Sequence, residues 1–131
     1  MKAPILSWHA VKSGARALRH WDDVKSRALD PGLREQIILY VSAINGCAIC
    51  TAVHAPRCPI GLPEDDRTRA AFAFAAARTR GEPEPSLALF RDDEARAIRA
   101  VVDLFTFNNR FNNTWERWLP GAAARREKLG L

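Results

Sequence analysis

The sequence has few cysteines and no long apolar run, and both shortages limit what the chain can be. Three cysteines in 131 residues are too few, and odd in number, for a fold held together by disulfides. The longest apolar stretch, residues 36–44, falls far short of the roughly 20 residues that cross a membrane. The first residues also lack the apolar segment of a secretory signal. We therefore expect a cytoplasmic protein that does not enter membranes and keeps its thiols reduced.

Gathered runs of basic residues and internal repeats are absent as well. The net charge is +5, but the basic residues are spread along the chain, so we expect no nucleic-acid partner. Hydrophobic residues make up 47% and charged residues 27%, which is typical of a globular protein. The length suits one domain over residues 1–131, with a core at about 13–118 and a basic C-terminal tail at 120–131.

Apolar residues recur at helical spacing along most of the chain, without a convincing strand pattern. Asp30 and Pro31 suit the cap and first position of a helix, which Asn45-Gly46 would end. The sequence predicts an all-α fold of about six helices, and a CxxC pair at a helix N-terminus. The other predicted helices cover 13–29, a segment from Cys47 past His54, a segment from 62–66 to about 80, and one or two helices within 92–118.

Two cysteines, a histidine and a glutamate are the residues most indicative of chemistry. Cys47, Cys50 and His54 are spaced i, i+3, i+7, so they share one face of a helix. At a helix start, unpaired N–H groups and the helix dipole favour the thiolate, which is the nucleophilic form of cysteine. Glu35, from the preceding helix, could fix the tautomer of His54 and raise its basicity. The set favours a redox-active thiol pair.

Other interpretations of the same residues stay open. By residue type, Cys47, Cys50, His54 and Cys58 form a Cys3His zinc set. On one continuous helix Cys47 and Cys58 would lie roughly 16 Å apart along the axis, so only a chain reversal near Pro56 could assemble it. We expect no metal, and Cys58 to be a buried or peripheral thiol. The pair could also serve a non-catalytic dithiol redox sensor or binding subunit.

Residues 33–55 resemble the AhpD-like alkylhydroperoxidase / carboxymuconolactone decarboxylase family. The motif of that family is a Glu, eleven residues, Cys, two residues, Cys, three residues, His. It falls on Glu35, Cys47, Cys50 and His54 without a gap. Asn-Gly before the first cysteine and residues 107–112 are also similar, and a looser resemblance covers about 15–118.

The resemblance implies an all-helical homo-oligomer, a dimer, trimer or hexamer, with peroxiredoxin-type activity and no cofactor. Cys50 would be the peroxidatic thiol, Cys47 would resolve its sulfenic acid as a disulfide, and His54 with Glu35 would form a proton relay. The substrate would be a hydroperoxide, and a dithiol protein or small thiol would be the reductant. A carboxymuconolactone decarboxylase is less expected, because that branch lacks the CxxC pair.

Three further residues are candidates for a substrate pocket. Ile49 stands where some members of the family carry His or Tyr, which predicts a more apolar pocket. Asn109 and Arg110 lie in an apolar helix, where polar side chains are costly unless paired. They could line a pocket, or they could be polar groups of the helix surface or of an interface. We expect the four tryptophans in the core or at a subunit interface.

Overall fold

The computed structural model describes residues 4–57 and 65–130. These ranges contain seven α-helices and no strand, which confirms the all-α prediction. Their bounds are α1 Trp8–Arg19, α2 Trp21–Val24, α3 Pro31–Ile44, α4 Ala48–His54, α5 Asp66–Arg80, α6 Asp92–Glu116 and α7 Ala122–Leu129, with a 3-10 turn, Ala55–Arg57, after α4. Within the same ranges, no helix is both long and apolar enough to cross a membrane.

The start and end of α3 follow the local sequence. The Asp30 side chain accepts a hydrogen bond from the backbone N–H of Leu33 at 3.0 Å, and Pro31 occupies the first turn. Asn45 is the C-cap, and Gly46 follows with a φ of 60°, which favours glycine. The predicted bounds of this helix are confirmed, and its last turn leads directly to Cys47.

The prediction of one helix over residues 13–29 is wrong. Ser7 accepts a hydrogen bond from the Ala10 N–H at 3.3 Å, so α1 begins at Trp8, five residues early. At His20 the backbone leaves helical geometry (φ −111°, ψ 38°), and a separate short helix, α2, follows. The apolar spacing continued across this break because Ala17 and Val24 pack in the same cluster.

Helix α6 is the centre of the fold. It is one helix of 25 residues, and Glu94 caps its first turn by accepting from the Arg91 N–H at 3.0 Å. Helices α1, α2, α3 and α5 all pack against it. The main core cluster includes Ile37, Ile38 and Val41 of α3, Ala71 and Phe74 of α5, and Ile98, Val101, Val102 and Phe105 of α6.

One segment differs from its sequence-based description, and another is described only in part. Residues 122–129, within the predicted basic tail, form α7. The predicted helix start at 62–66 is described only from Asp65, which caps α5 by accepting from the Thr68 N–H at 2.6 Å. Residues 62–64 and Cys58 lie outside the described residues.

The tryptophans do not belong to the core of the single chain. Their exposed fractions run from 39% to 80%, for Trp115, Trp21, Trp8 and Trp118 in rising order. Of the two expected locations, the core is therefore wrong, and a subunit interface stays a prediction.

Candidate functional site

The two cysteines of the CxxC pair meet at the first turn of α4. Cys47 is the N-cap residue, and its Sγ accepts a hydrogen bond from the Cys50 N–H at 3.3 Å. The Cys47 N–H in turn donates to the carbonyl of Ser42 in α3 at 2.9 Å. Both are free thiols and both are buried, Cys47 fully and Cys50 at 5% exposure. The predicted placement of the pair at a helix N-terminus is confirmed.

The surroundings shift the pKa values of the two thiols in opposite directions. A hydrogen bond from the Cys47 thiol lowers the pKa of Cys50 to about 6, although burial acts the other way. The amides of Asn112 and Asn109 and the charge of His54 lower it further. The same bond to Cys50, together with burial, raises the pKa of Cys47 far above that of a free thiol. At neutral pH the thiolate therefore lies on Cys50 and the proton on Cys47.

His54 is held by Glu35, as the sequence predicts. The two residues come from α4 and α3, and His54 Nδ1 lies 2.8 Å from Glu35 Oε2. A carboxylate only accepts, so Nδ1 carries the hydrogen, and Nε2 has no hydrogen-bond partner among the described residues. Phe105 packs edge-on against the imidazole, with ring centroids 5.2 Å apart. The carboxylate and the aromatic ring together fix the imidazole and its tautomer.

Asn112 is a partner of the reactive sulfur that the sequence analysis did not select. Its Nδ2 donates to Cys50 Sγ at 3.3 Å. The Trp115 indole N–H donates to Asn112 Oδ1 at 3.3 Å, so the amide is oriented with its donor toward the sulfur. The one available signal was position, because Asn112 lies one helical turn after Asn109 within the segment 107–112.

Asn109 takes part in a buried polar network. It accepts from the Asn45 amide and donates to the Ser42 hydroxyl, both at 3.1 Å. Arg110 Nε donates to the side-chain oxygen of Asn45, Oδ1, at 3.3 Å. These bonds attach α6 to the connection between α3 and α4. Ile49 is half-buried on α4, and the pocket role of these residues stays a prediction.

A cavity of about 470 Å³ adjoins the thiol site. It shares Asn112 with the hydrogen-bond partners of Cys50. Its remaining lining is largely apolar and aromatic, and consists of Leu6, Phe111, Thr114 and Trp115. An apolar group bound there would lie next to the residue that contacts the Cys50 sulfur.

The described residues do not assemble a metal site. Within residues 4–57 and 65–130, no group of three or more His, Cys, Asp or Glu side chains could hold a metal ion. Cys58, the fourth member of the alternative zinc set, lies outside these ranges.

Comparison with known proteins gives a family match. The model of the Carboxymuconolactone decarboxylase family matches residues 13–77, about half of the chain. The matched range includes Glu35, Cys47, Cys50 and His54. Comparisons with curated proteins and with solved structures found no match.

Proposed function

Because the chain belongs to the carboxymuconolactone decarboxylase family, we propose that it is a thiol-dependent peroxidase that reduces hydroperoxides through Cys47 and Cys50. The observation that carries the proposal is the separation of charge between the two thiols. Cys50, with a pKa of about 6, is a thiolate at neutral pH, and Cys47 stays a protonated hydrogen-bond donor beside it. A peroxidatic cysteine needs to be a thiolate, as Cys50 is, and a resolving cysteine can be a protonated thiol, as Cys47 is.

In the first step the Cys50 thiolate attacks the distal oxygen of the hydroperoxide. The sulfur–oxygen bond forms as the O–O bond breaks, so the sulfur becomes a sulfenic acid and the substrate leaves as an alkoxide. His54 Nε2 supplies the proton that converts this alkoxide to an alcohol. The bond from His54 Nδ1 to Glu35 supports this role, since the carboxylate stabilises the protonated ring.

In the second step Cys47 resolves the sulfenic acid. Cys47 gives up its proton, its sulfur attacks Cys50 Sγ, and the displaced hydroxide leaves with a proton as water. The position of Cys47 as N-cap, with its Sγ bonded to the Cys50 N–H, supports this step because the two residues are already adjacent. A dithiol protein or small thiol then reduces the Cys47–Cys50 disulfide and is itself oxidised.

The adjoining cavity supports a substrate with an apolar substituent. Phe111 and Trp115 contribute aromatic surface to it, and Asn112 both lines it and donates to the Cys50 sulfur. A carbon chain bound in this cavity would therefore contact a residue that also contacts Cys50. We propose organic hydroperoxides as the substrates, in preference to hydrogen peroxide.

The test is hydroperoxide consumption by the purified protein with a dithiol reductant. Cys50→Ser should abolish consumption, and Cys47→Ser should allow at most one stoichiometric turnover. Cys58→Ser is the matched control and should retain the wild-type rate. Mass spectrometry after one equivalent of hydroperoxide should show the loss of two hydrogens, mapped to Cys47–Cys50. Unchanged steady-state consumption by Cys50→Ser would contradict the proposal.

A second candidate function is a dithiol redox sensor that uses the same pair without turnover. The low pKa of Cys50 and the adjacent Cys47 favour it, because sensor cysteines have a low pKa and a resolving cysteine next to them. The sensor would form the Cys47–Cys50 disulfide reversibly but show no sustained consumption with any thiol donor. The same assay therefore separates the two functions.

A further inference from the structure

Helix α7 lies against the turn that begins α4, and polar contacts hold it there. All of its residues are described and none is buried, so apolar packing contributes little to its position. Arg125 Nη2 and Arg126 Nε lie 3.0 and 3.3 Å from the two carboxylate oxygens of Glu116. The Glu116 side chain is 1% exposed, and a carboxylate so buried needs such partners. Helix α7 is thus attached by its arginines.

Arg126 also reaches the residues directly before Cys47. Its Nη1 donates to the Gly46 carbonyl at 2.5 Å, and its Nη2 donates to Asn113 Oδ1 at 3.2 Å. The Asn113 amide donates to the Asn45 carbonyl at 2.7 Å. The last two carbonyls before Cys47 are therefore both held, one by Arg126 directly and one through its partner.

We propose that Arg126 is a positioning residue. It fixes the Gly46–Cys47 turn and so holds the Cys47 thiol against Cys50, and helix α7 holds Arg126 in place for these contacts. Gly46 adopts a φ of 60°, and glycine has the widest choice of backbone conformations. Such a turn keeps one geometry only where its surroundings restrain it. The guanidinium supplies that restraint from 80 residues away in the sequence.

The restraint acts on both roles of Cys47, and in this respect the inference rests on the proposed function. The Cys47 thiol donates the hydrogen bond that favours the Cys50 thiolate. Its sulfur must also reach Cys50 Sγ to form the disulfide. Without Arg126 the turn would allow Cys47 several orientations. Its hydrogen bond to the Cys50 thiolate would then be weaker, and formation of the Cys47–Cys50 disulfide would be slower.

The experiment uses full-length R126A, R126K and R125A with two readouts that need no peroxide. The first is the pH profile of iodoacetamide alkylation at Cys50 of the reduced protein, mapped by mass spectrometry, which reports the pKa of Cys50. The second is disulfide closure after excess diamide. The Cys50 thiolate adds across the N=N bond with uptake of a proton. Attack by the Cys47 sulfur on Cys50 Sγ then releases the hydrazine, with the Cys47 proton transferred to it.

We expect R126A to raise the alkylation midpoint by about one pH unit and to slow closure about tenfold, within the hundredfold that a displacement of about 1 Å can cost. R125A is the matched control. Arg125 bonds Glu116 and the Pro120 carbonyl, and among the described residues it makes no hydrogen bond to the Gly46 turn. R125A weakens the attachment of α7 but leaves the bonds of Arg126 to Gly46 and Asn113 in place, so it should shift both readouts clearly less than R126A does. Equal effects of R126A and R125A, or no effect of R126A, would overturn the proposal.

The remaining variant keeps the test decisive if R126A does not fold. In R126K the lysine keeps the positive charge but cannot donate to Gly46, Asn113 and Glu116 together. We therefore expect its alkylation midpoint and closure rate to change in the same direction as those of R126A. Wild-type values for a folded R126K would overturn the proposal. A wild-type protein that closes its disulfide with diamide but consumes no hydroperoxide would refute the peroxidase alone. The alkylation profile and the closure rate would still test the role of Arg126.

Discussion

Helix α6 contributes to two polar sites whose partner groups differ in whether they can change protonation state. Asp103 lies at the first site and Asn112 at the second, nine residues or about 14 Å further along the axis. Arg78 binds both carboxylate oxygens of Asp103 at 2.9 Å, and Arg16 binds both at 3.3 Å. Arginine never releases its proton in proteins, so this charge pattern is permanent.

The thiol site contains groups that can change protonation state. Cys50 exchanges a hydrogen bond with another thiol, and its thiolate is stabilised by neutral amides and by His54. Glu35 binds the imidazole of His54, a side chain that can hold or give up a proton. Asp103 and Cys50 are similarly buried, at 3% and 5% exposure, so the two sites differ in the chemistry of the partner groups rather than in burial.

The largest expected effect is the loss of stability in Asp103→Ala. The change leaves the Arg78 guanidinium, only 16% exposed, without its buried counter-charge. We expect the free energy of unfolding to fall by about 3 kcal/mol, the lower end for a broken buried pair, because Arg16 is more exposed. Urea unfolding measures this change. The pH profile of Cys50 alkylation should not move.

Asp22→Ala is the control for this substitution. The Asp22 side chain is 97% exposed and faces Lys25 at 3.4 Å, so its loss should change the free energy of unfolding by well under about 1 kcal/mol. An Asp103→Ala variant as stable as Asp22→Ala would remove the distinction between the two sites.

The next effect is on rate rather than on stability. His54→Asn removes the nitrogen that returns a proton to the alkoxide, so hydroperoxide consumption at pH 7 should fall about 100-fold, the lower end for general acid–base catalysis. Glu35→Gln keeps a hydrogen-bond acceptor but loses the charge, and should reduce the rate less. Steady-state rates together with urea unfolding make the measurement. A large loss of stability without a loss of rate would class His54 with Asp103.

Local chemistry explains why part of the fold and of the site could be predicted. Asp30-Pro31 and Asn45-Gly46 bound α3 through contacts within a few residues, and Cys47 follows from the same turn. The Glu35–His54 contact joins helices that are consecutive in the sequence, and the sequence predicts it from the residue types and positions of the motif. Such features depend on short stretches of chain, which a single sequence displays directly.

The features that were not predicted depend on partners far away in the sequence. Asn112 reaches Cys50 across 62 residues, and Arg126 reaches Gly46 across 80. Periodicity assigns Asn112 to a helix without indicating what it contacts, and Arg126 falls within the predicted basic tail. The break at His20 was hidden for a related reason, since Ala17 and Val24 share one cluster and keep the apolar spacing intact across it.

The smallest effect tests whether a neutral amide contributes to the reactive state. Asn112→Ala removes a donor to Cys50 Sγ, a bond of about 1 kcal/mol, so the pKa of Cys50 should rise by somewhat less than about one unit from its value near 6. The thiolate exists above the pKa and is lost as the pH falls through it. Alkylation of Cys50 by iodoacetamide should therefore slow about threefold at pH 6. It should be unchanged at pH 9, where Cys50 is a thiolate in both the variant and the wild type.

Asn108→Ala is the matched control, because Asn108 lies on the same helix and is not among the described residues that hydrogen-bond Cys50. Of Cys47 and Cys50, only Cys50 should react between pH 6 and 8, since the pKa of Cys47 is raised. Equal profiles for Asn112→Ala and the wild type would show that the thiol–thiol bond, Asn109 and His54 suffice, and the contrast with Asp103, whose partners are fixed charges, would rest on those three groups. A reduced rate at pH 9 as well would instead indicate changed access to the sulfur.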